Sequence, residues 1–159
     1  MMNNLKKLVV ASALTFSATT IALADGIERH PIPNSDFPIL QAVTVEGAEI
    51  TYLSGTVPQK GEDENFGDTE AQTVSVFNSI SDKLAGMGLE MSDVIKMTVF
   101  LVPTEETGRI DFSGFMEGYT QFFGTDDQPN LPTRSVIGVS DLANEEWLVE
   151  IEVVAATSD

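Results

Sequence analysis

The segment Val94–Val102, VIKMTVFLV, most constrains what this chain can fold into. It is almost continuously apolar, rich in β-branched and aromatic side chains, and stopped by Pro103. It is too short for a typical helix and reads as a strand buried on both faces. Such a strand sits inside a sheet, with neighbours on both edges and a layer over each face. The rest of the chain must supply them.

Four further strands are predicted. Gln41–Val45 and Glu49–Ser54 alternate around Glu46-Gly47 and read as a hairpin, with Val43 and Val45 matched by Ile50 and Tyr52. Gly55 marks either a bulge or a close approach to a ligand, and spacing favours the bulge. Leu131–Ala155, LPTRSVIGVSDLANEEWLVEIEVVA, reads as two strands joined by a short polar connection. Two helices supply a layer. The first is capped by Thr69, with Gln72 closing a capping box; Val74, Phe77, Ile80, Leu84 and Met87 form its core stripe, and Gly86 and Gly88 end it. The second opens at Asp111 and carries Phe112, Phe115, Met116, Tyr119, Phe122 and Phe123 before Gly124. Residues 25–40 hold three prolines and no period, so they read as an irregular arm. The expected order is β-β-α-β-α-β-β: one α+β domain with both helices on one face of a mixed sheet. No third layer remains for the other face, so self-association is expected.

Residues 1–24 stand apart from this domain. Lys6 and Lys7, an apolar run from Leu8, and Ala22-Leu23-Ala24 are the three regions of a secretory signal, with cleavage expected after Ala24. The interspersed serines and threonines weaken the run as a membrane anchor. The expected product is a single domain over residues 25–159, exported to the periplasm if the source is bacterial, with no membrane attachment. The leader holds two of the eight basic residues and no acidic one, so its removal takes the net charge from −17 to −19. That surface repels polyanions and argues against nucleic-acid binding. The chain has no cysteine, which excludes disulfides and thiol chemistry. Its single histidine, His30, reads as a solvated loop residue, and no metal site is expected. The acidic run Glu62-Asp63-Glu64 lacks calcium-loop spacing.

Chemistry-bearing residues are sparse. Arg134, one of three arginines, follows Pro132-Thr133 at a strand start, where a guanidinium suits a small carboxylate. Glu150 and Glu152 share one face of the last strand, opposite Val149, Ile151 and Val153. If the final hairpin turns near Ala143, Arg134 lies across from Glu152. Spacing therefore favours an ion pair over a clamp, a surface pair contributing under ~1 kcal/mol.

Several pieces in this order resemble the RidA family of reactive intermediate deaminases, also called YjgF or L-PSP endoribonuclease proteins. They are Ser54-Gly55, the run Asp93–Leu101, Tyr119 with Phe122-Phe123, Pro132-Thr133-Arg134-Ser135 and Val149-Glu150-Ile151-Glu152. The likeness runs from about Pro38 to Ala155. It implies a chorismate mutase-like α+β fold, three copies packed sheets inward, and clefts between subunits. It implies hydrolysis of small 2-imino acids and enamines to 2-oxo acids and ammonia, with no cofactor. On the matching positions, Arg134 binds the substrate carboxylate, Glu150 stands by the attacking water, and Ser54 and Gly55 line the pocket. Ile39 stands where deaminase members carry a tyrosine, Met116 where they carry an asparagine, and Val136 where cysteine is common, which implies a more apolar pocket. A second reading is a non-catalytic binder of small carboxylic acids in the same clefts. Ribonuclease activity is a third, opposed by the acidic charge.

Overall fold

The computed structural model describes residues 26–158. The segment read as an export signal, with its cleavage site, lies outside them. The elements in order are β1 (Ile27–Pro31), β2 (Leu40–Val45), β3 (Glu49–Thr56), α1 (Thr69–Ala85), β4 (Val94–Leu101), α2 (Phe112–Tyr119), β5 (Thr133–Gly138) and β6 (Val149–Thr157). The architecture is α+β with a mixed sheet, as expected. Four strands form the main sheet in the order β3-β6-β4-β5, and β1 and β2 form a separate ribbon. β4 and β5 run parallel, which requires a crossover, and α2 supplies it. β6 runs antiparallel to both β3 and β4.

Three expectations about pairing fail. The last two strands are not a hairpin, because β4 lies between them. β2 and β3 are not a hairpin either: Glu46-Gly47 turns the chain, with Gly47 at φ 69°, but hands it from one sheet to the other. The arm before β2 contains a strand, β1, whose Ile27 pairs with Val45 and His30 with Ala42. His30 thus sits in a strand, half-exposed, with its Nε2 3.0 Å from Thr44 Oγ1.

β4 occupies the centre of the sheet, as its composition requires. Its alternate residues Met97, Val99 and Leu101 join Val149, Ile151 and Val153 of β6 under the two helices. Burial on the second face is incomplete among the described residues: Lys96 is exposed and Thr98 and Phe100 are half-buried. The helix layer contributes Val76, Phe77, Ile80 and Leu84 from α1 and Phe115 and Tyr119 from α2. The Phe77 ring lies 5.2 Å from Phe122 and 5.5 Å from Phe123, so truncating it to alanine would cost about 3–5 kcal/mol. Met87 and Val74, expected in the stripe, are exposed and half-buried; Val76 and Thr73 take the inner face.

The caps hold the helix starts near one end of the layer. Asp68, rather than Thr69, caps α1 by accepting from Ala71 N at 2.9 Å. Asp111 caps α2 through Gly114 N at 2.9 Å. Gln72 makes no capping box. Its buried amide donates to the carbonyls of Gly67 and Glu146 and accepts from Leu148 N at 2.7 Å, tying α1 to the approach of β6. The helices touch through Gly118, where any Cβ would press on Thr73.

Candidate functional site

Arg134 lies on the edge strand β5, in register with the buried Met97, so its side chain rises on the helix-covered face. Its guanidinium carbon stands 4.2 Å from the ring centre of Tyr119, 5.1 Å from Phe115, 5.5 Å from Phe37 and 6.0 Å from Phe112. Cation–π attraction to four rings holds the group in a low-dielectric setting. Burial lowers the Arg134 pKa, and the Tyr119 phenol opposes that shift. Burial likewise pushes the Tyr119 phenol up to about 12, against the nearby arginine charge. Nη1 of Arg134 is buried and has no hydrogen-bond partner among the described residues. Leaving a buried donor unmet costs about 1–3 kcal/mol, more when charged. The group is therefore set up to receive an anion.

The ion pair with Glu152 does not form. In register Arg134 faces Met97 while Glu152 faces Thr98, so β4 separates them and their side chains leave opposite faces of the sheet. Among the described residues the ion pairs are His30–Glu28 and Lys60–Glu146, and Arg134 is in neither.

A short segment before β2 closes over this arginine. The Tyr119 hydroxyl donates to the Pro38 carbonyl at 2.7 Å, and Leu40 N donates to the Pro132 carbonyl at 3.0 Å. Those two bonds bring Phe37, Pro38 and Ile39 beside the start of β5. Ile39 is half-buried there, with its N–H donating to the Phe37 carbonyl at 2.8 Å. Met116 is half-buried one turn before Tyr119 on α2, and Val136 follows Arg134 on the same face of β5, in register with Val99. The apolar groups that meet the guanidinium itself are the four rings, with Val136 next along the same strand face.

Glu150 belongs to a second group. It lies on β6 in register with Phe100, half-buried, on the face the helices do not cover. Beside it β3 bulges. Leu53 pairs with Val153 and Thr56 with Ile151, so Ser54 and Gly55 together oppose the single residue Glu152. The bulge read at Gly55 is present, and it also serves a close approach: a Cβ at Gly55 would overlap the Glu150 carboxylate. Ser54 is exposed on the same edge. Thr56 is buried just beyond, accepting from Lys83 Nζ at 2.8 Å and donating to the Ser54 carbonyl at 3.4 Å.

The chain therefore carries two half-sites. Gly55 lies against Glu150, with Ser54 beside it in the bulge, and Val136 shares the β5 face of Arg134; Ile39 lies near the start of that strand and Met116 is half-buried on α2, while Arg134 and Glu150 leave opposite faces of the sheet. Sequence reasoning missed Phe37, Phe112 and Tyr119 as neighbours of Arg134. The helical spacing of Phe112, Phe115 and Tyr119 was visible as one stripe, but only the parallel β4-α2-β5 crossover brings that stripe against β5. Among the described residues no cluster of three metal-ligating side chains occurs, and no helix is long and apolar enough to cross a membrane.

A mixed sheet with a parallel crossover, an arginine at the head of the edge strand and a glycine bulge against a glutamate define a Rid-type domain. The family model described as Endoribonuclease L-PSP matches residues 36–157, and the chain belongs to that family. TdcF of Escherichia coli (strain K12), named as a reactive intermediate deaminase, is 33% identical over 135 residues, covering 83% of this chain and 96% of TdcF. A RutC family protein of Pyrococcus abyssi is 30% identical over 130 residues, covering 80% and 91%. Among solved structures, E. coli TdcF with bound serine aligns with a TM-score of 0.57 at 29% identity, over 83% of this chain and 98% of that one. The Rid family protein YyfB of Yersinia pestis aligns with a TM-score of 0.65 at 21% identity, over 82% and 98%, and speaks to the fold alone. The resemblance read from the motifs is thus confirmed, and the chain is similar to RidA-type deaminases.

Proposed function

We propose that the protein hydrolyses 2-imino acids and their enamine tautomers to 2-oxo acids and ammonia, without a cofactor. The observation that carries this reading is the Arg134 guanidinium: buried, stacked on Tyr119, free of any carboxylate partner among the described residues, and with Nη1 unmet. A substrate carboxylate supplies the missing acceptor in a charge-assisted bond. The iminium carbon is already electrophilic, so holding it and placing a water provides much of the rate. Glu150 accepts the proton of that water as it adds to the C=N carbon, and returns it to the nitrogen as the C–N bond breaks. Ser54 and Gly55 line the water side. Support also comes from the relative TdcF, crystallised with serine, a small carboxylate.

On one chain the two half-sites face opposite ways, which favours a homotrimer with each cleft shared between subunits. The half-buried Phe100 and the exposed Tyr52 and Ile137 on the open sheet face support burial against another copy. The leader supports action in the periplasm; N-terminal sequencing of periplasmic protein is expected to begin at Asp25, and an uncleaved Met1 would refute it.

The direct test generates 2-iminopropanoate with an amino-acid oxidase and follows ammonia release. Acceleration over buffer is expected, and its absence with every imino acid tried would remove the reading. The apolar Ile39 and Met116 favour one rival, a binder of small carboxylic acids without turnover; calorimetric binding of 2-oxobutanoate by an inactive protein would select it.

A further inference from the structure

The four rings around Arg134 differ in exposure. Phe115 and Tyr119 are fully buried and form a floor beneath the guanidinium. Phe37 and Phe112 are 43% and 39% exposed, although their ring centres stand only 5.5 and 6.0 Å from the same carbon. Exposed ring surface next to a charged group offers both contacts that a ligand with an apolar end and an anionic end requires. Here it stands beside Arg134, whose buried Nη1 has no hydrogen-bond partner among the described residues.

The two rings reach Arg134 from distant parts of the chain, and each is held. Phe37 precedes Pro38, whose carbonyl accepts from the Tyr119 hydroxyl. Phe112 opens α2 behind the Asp111 cap and packs against Phe115 at 6.1 Å. Phe37 and Phe112 are not stacked on each other among the described aromatic pairs, and each keeps ring surface exposed near the guanidinium. Their positions are fixed before a ligand arrives, which lowers the ordering cost of binding. Their side chains offer no polar atom to a hydrophilic substituent, and nor do those of Ile39 and Met116.

We propose that these two rings make the Arg134 site selective for 2-imino acids bearing an aromatic side chain over those bearing a methyl group; the proposal rests on the imine-hydrolase reading above. The carboxylate binds Arg134 and the substrate ring packs between Phe37 and Phe112 in offset or edge contact. The reaction balances as before: water adds across C=N, the C–N bond breaks, and a 2-oxo acid and ammonia leave.

The test compares imines made in place by an amino-acid oxidase from phenylalanine and from alanine, read as the fall in semicarbazone formed by competing semicarbazide. The expected kcat/KM is about 10-fold or more higher for the phenylalanine-derived imine, the scale that hydrophobic pocket contacts provide. Phe112→Ala brings that ratio near one. Phe112→Leu, which keeps an apolar contact for the helix and removes the ring, lowers the ratio as well and guards against misfolding. A wild-type ratio at or below one, in an active protein, overturns the selectivity and leaves the hydrolase reading standing. No acceleration with either imine overturns both. Calorimetry with pyruvate and its phenyl-substituted analogue reads the pocket separately, and tighter binding of pyruvate would also sink the proposal.

Discussion

The Arg134 half-site and the Glu150 half-site are built on opposite plans. Arg134 sits under the helices, stacked on aromatic rings and partly stripped of water. Glu150 sits on the open face beside a bulge, with a glycine giving its carboxylate room. The first environment suits a group that must bind an anion, because a dry, fixed guanidinium interacts more strongly with a carboxylate than a solvated one. The second suits a group that must handle water, because no helix among the described residues covers that face. A single chain cannot make one pocket from both, since the sheet lies between them. The difference is the ground for proposing a site shared between subunits.

The largest expected effect comes from removing the arginine. Arg134→Ala should lower kcat/KM by about 10³-fold, since truncating one partner of a buried charge pair costs about 2–5 kcal/mol. It should abolish calorimetric binding of 2-oxo acids while leaving the oligomer intact. Unchanged kinetics would deny it the clamp role. Glu150→Gln should do the reverse: kcat falls by about 10²-fold, in the range of general acid–base catalysis, while 2-oxo acid binding survives. If both variants lose binding equally, the two half-sites do not have separate tasks.

Gly55→Ala sharpens the contrast from the structural side. The added methyl overlaps the Glu150 carboxylate, so the expected cost is about 1–3 kcal/mol in denaturant unfolding, with reduced turnover. A neutral result would mean the bulge relaxes freely.

The smallest effect concerns Tyr119. Its phenol titrates near 10 when unfolded and at about 12 when folded, so above pH 10 the unfolded chain gives up a proton that the folded one keeps. Stability contributed by the neutral phenol is present below pH 10 and declines from there to about pH 12. Tyr119→Phe should flatten that part of an alkaline unfolding curve. It also leaves the Pro38 carbonyl unmet, a cost of about 1 kcal/mol or more at neutral pH. An unchanged alkaline slope would mean the phenol is solvated.

What the sequence made legible follows its periodicities. β4, both helices and the inward face of β6 carry apolar patterns that only burial produces; β4 and α1 were read near their observed bounds, whereas α2 ends at Tyr119, before the expected Phe122-Phe123 and Gly124. Pairing was not legible. Consecutive strands usually neighbour one another, and Ala143 offered a plausible turn between β5 and β6, yet β4 occupies the place between them. β1 escaped notice because a two-stranded ribbon buries no full face and so leaves no alternation, while Pro31 and Pro33 suggested a loop. The cap moved by one residue because Asp68 and Thr69 are both good caps. For the site, Arg134, Glu150 and Gly55 stood out by chemistry and by motif. Phe37 and Phe112 did not, since an aromatic in a loop or at a helix start has a role only once the fold shows what lies beneath it.

The claim that the working site is shared between chains has a direct test. Arg134→Ala and Glu150→Gln variants, each expected to keep about 1% of wild-type activity or less alone, are unfolded together at equal concentration, refolded and assayed for imine hydrolysis. In a trimer with shared clefts, random assembly gives each cleft an intact arginine from one variant and an intact glutamate from the other about one time in four, so activity near a quarter of wild type is expected. No recovery in oligomers verified to contain both variants, or full wild-type activity from a monomer, would contradict the account.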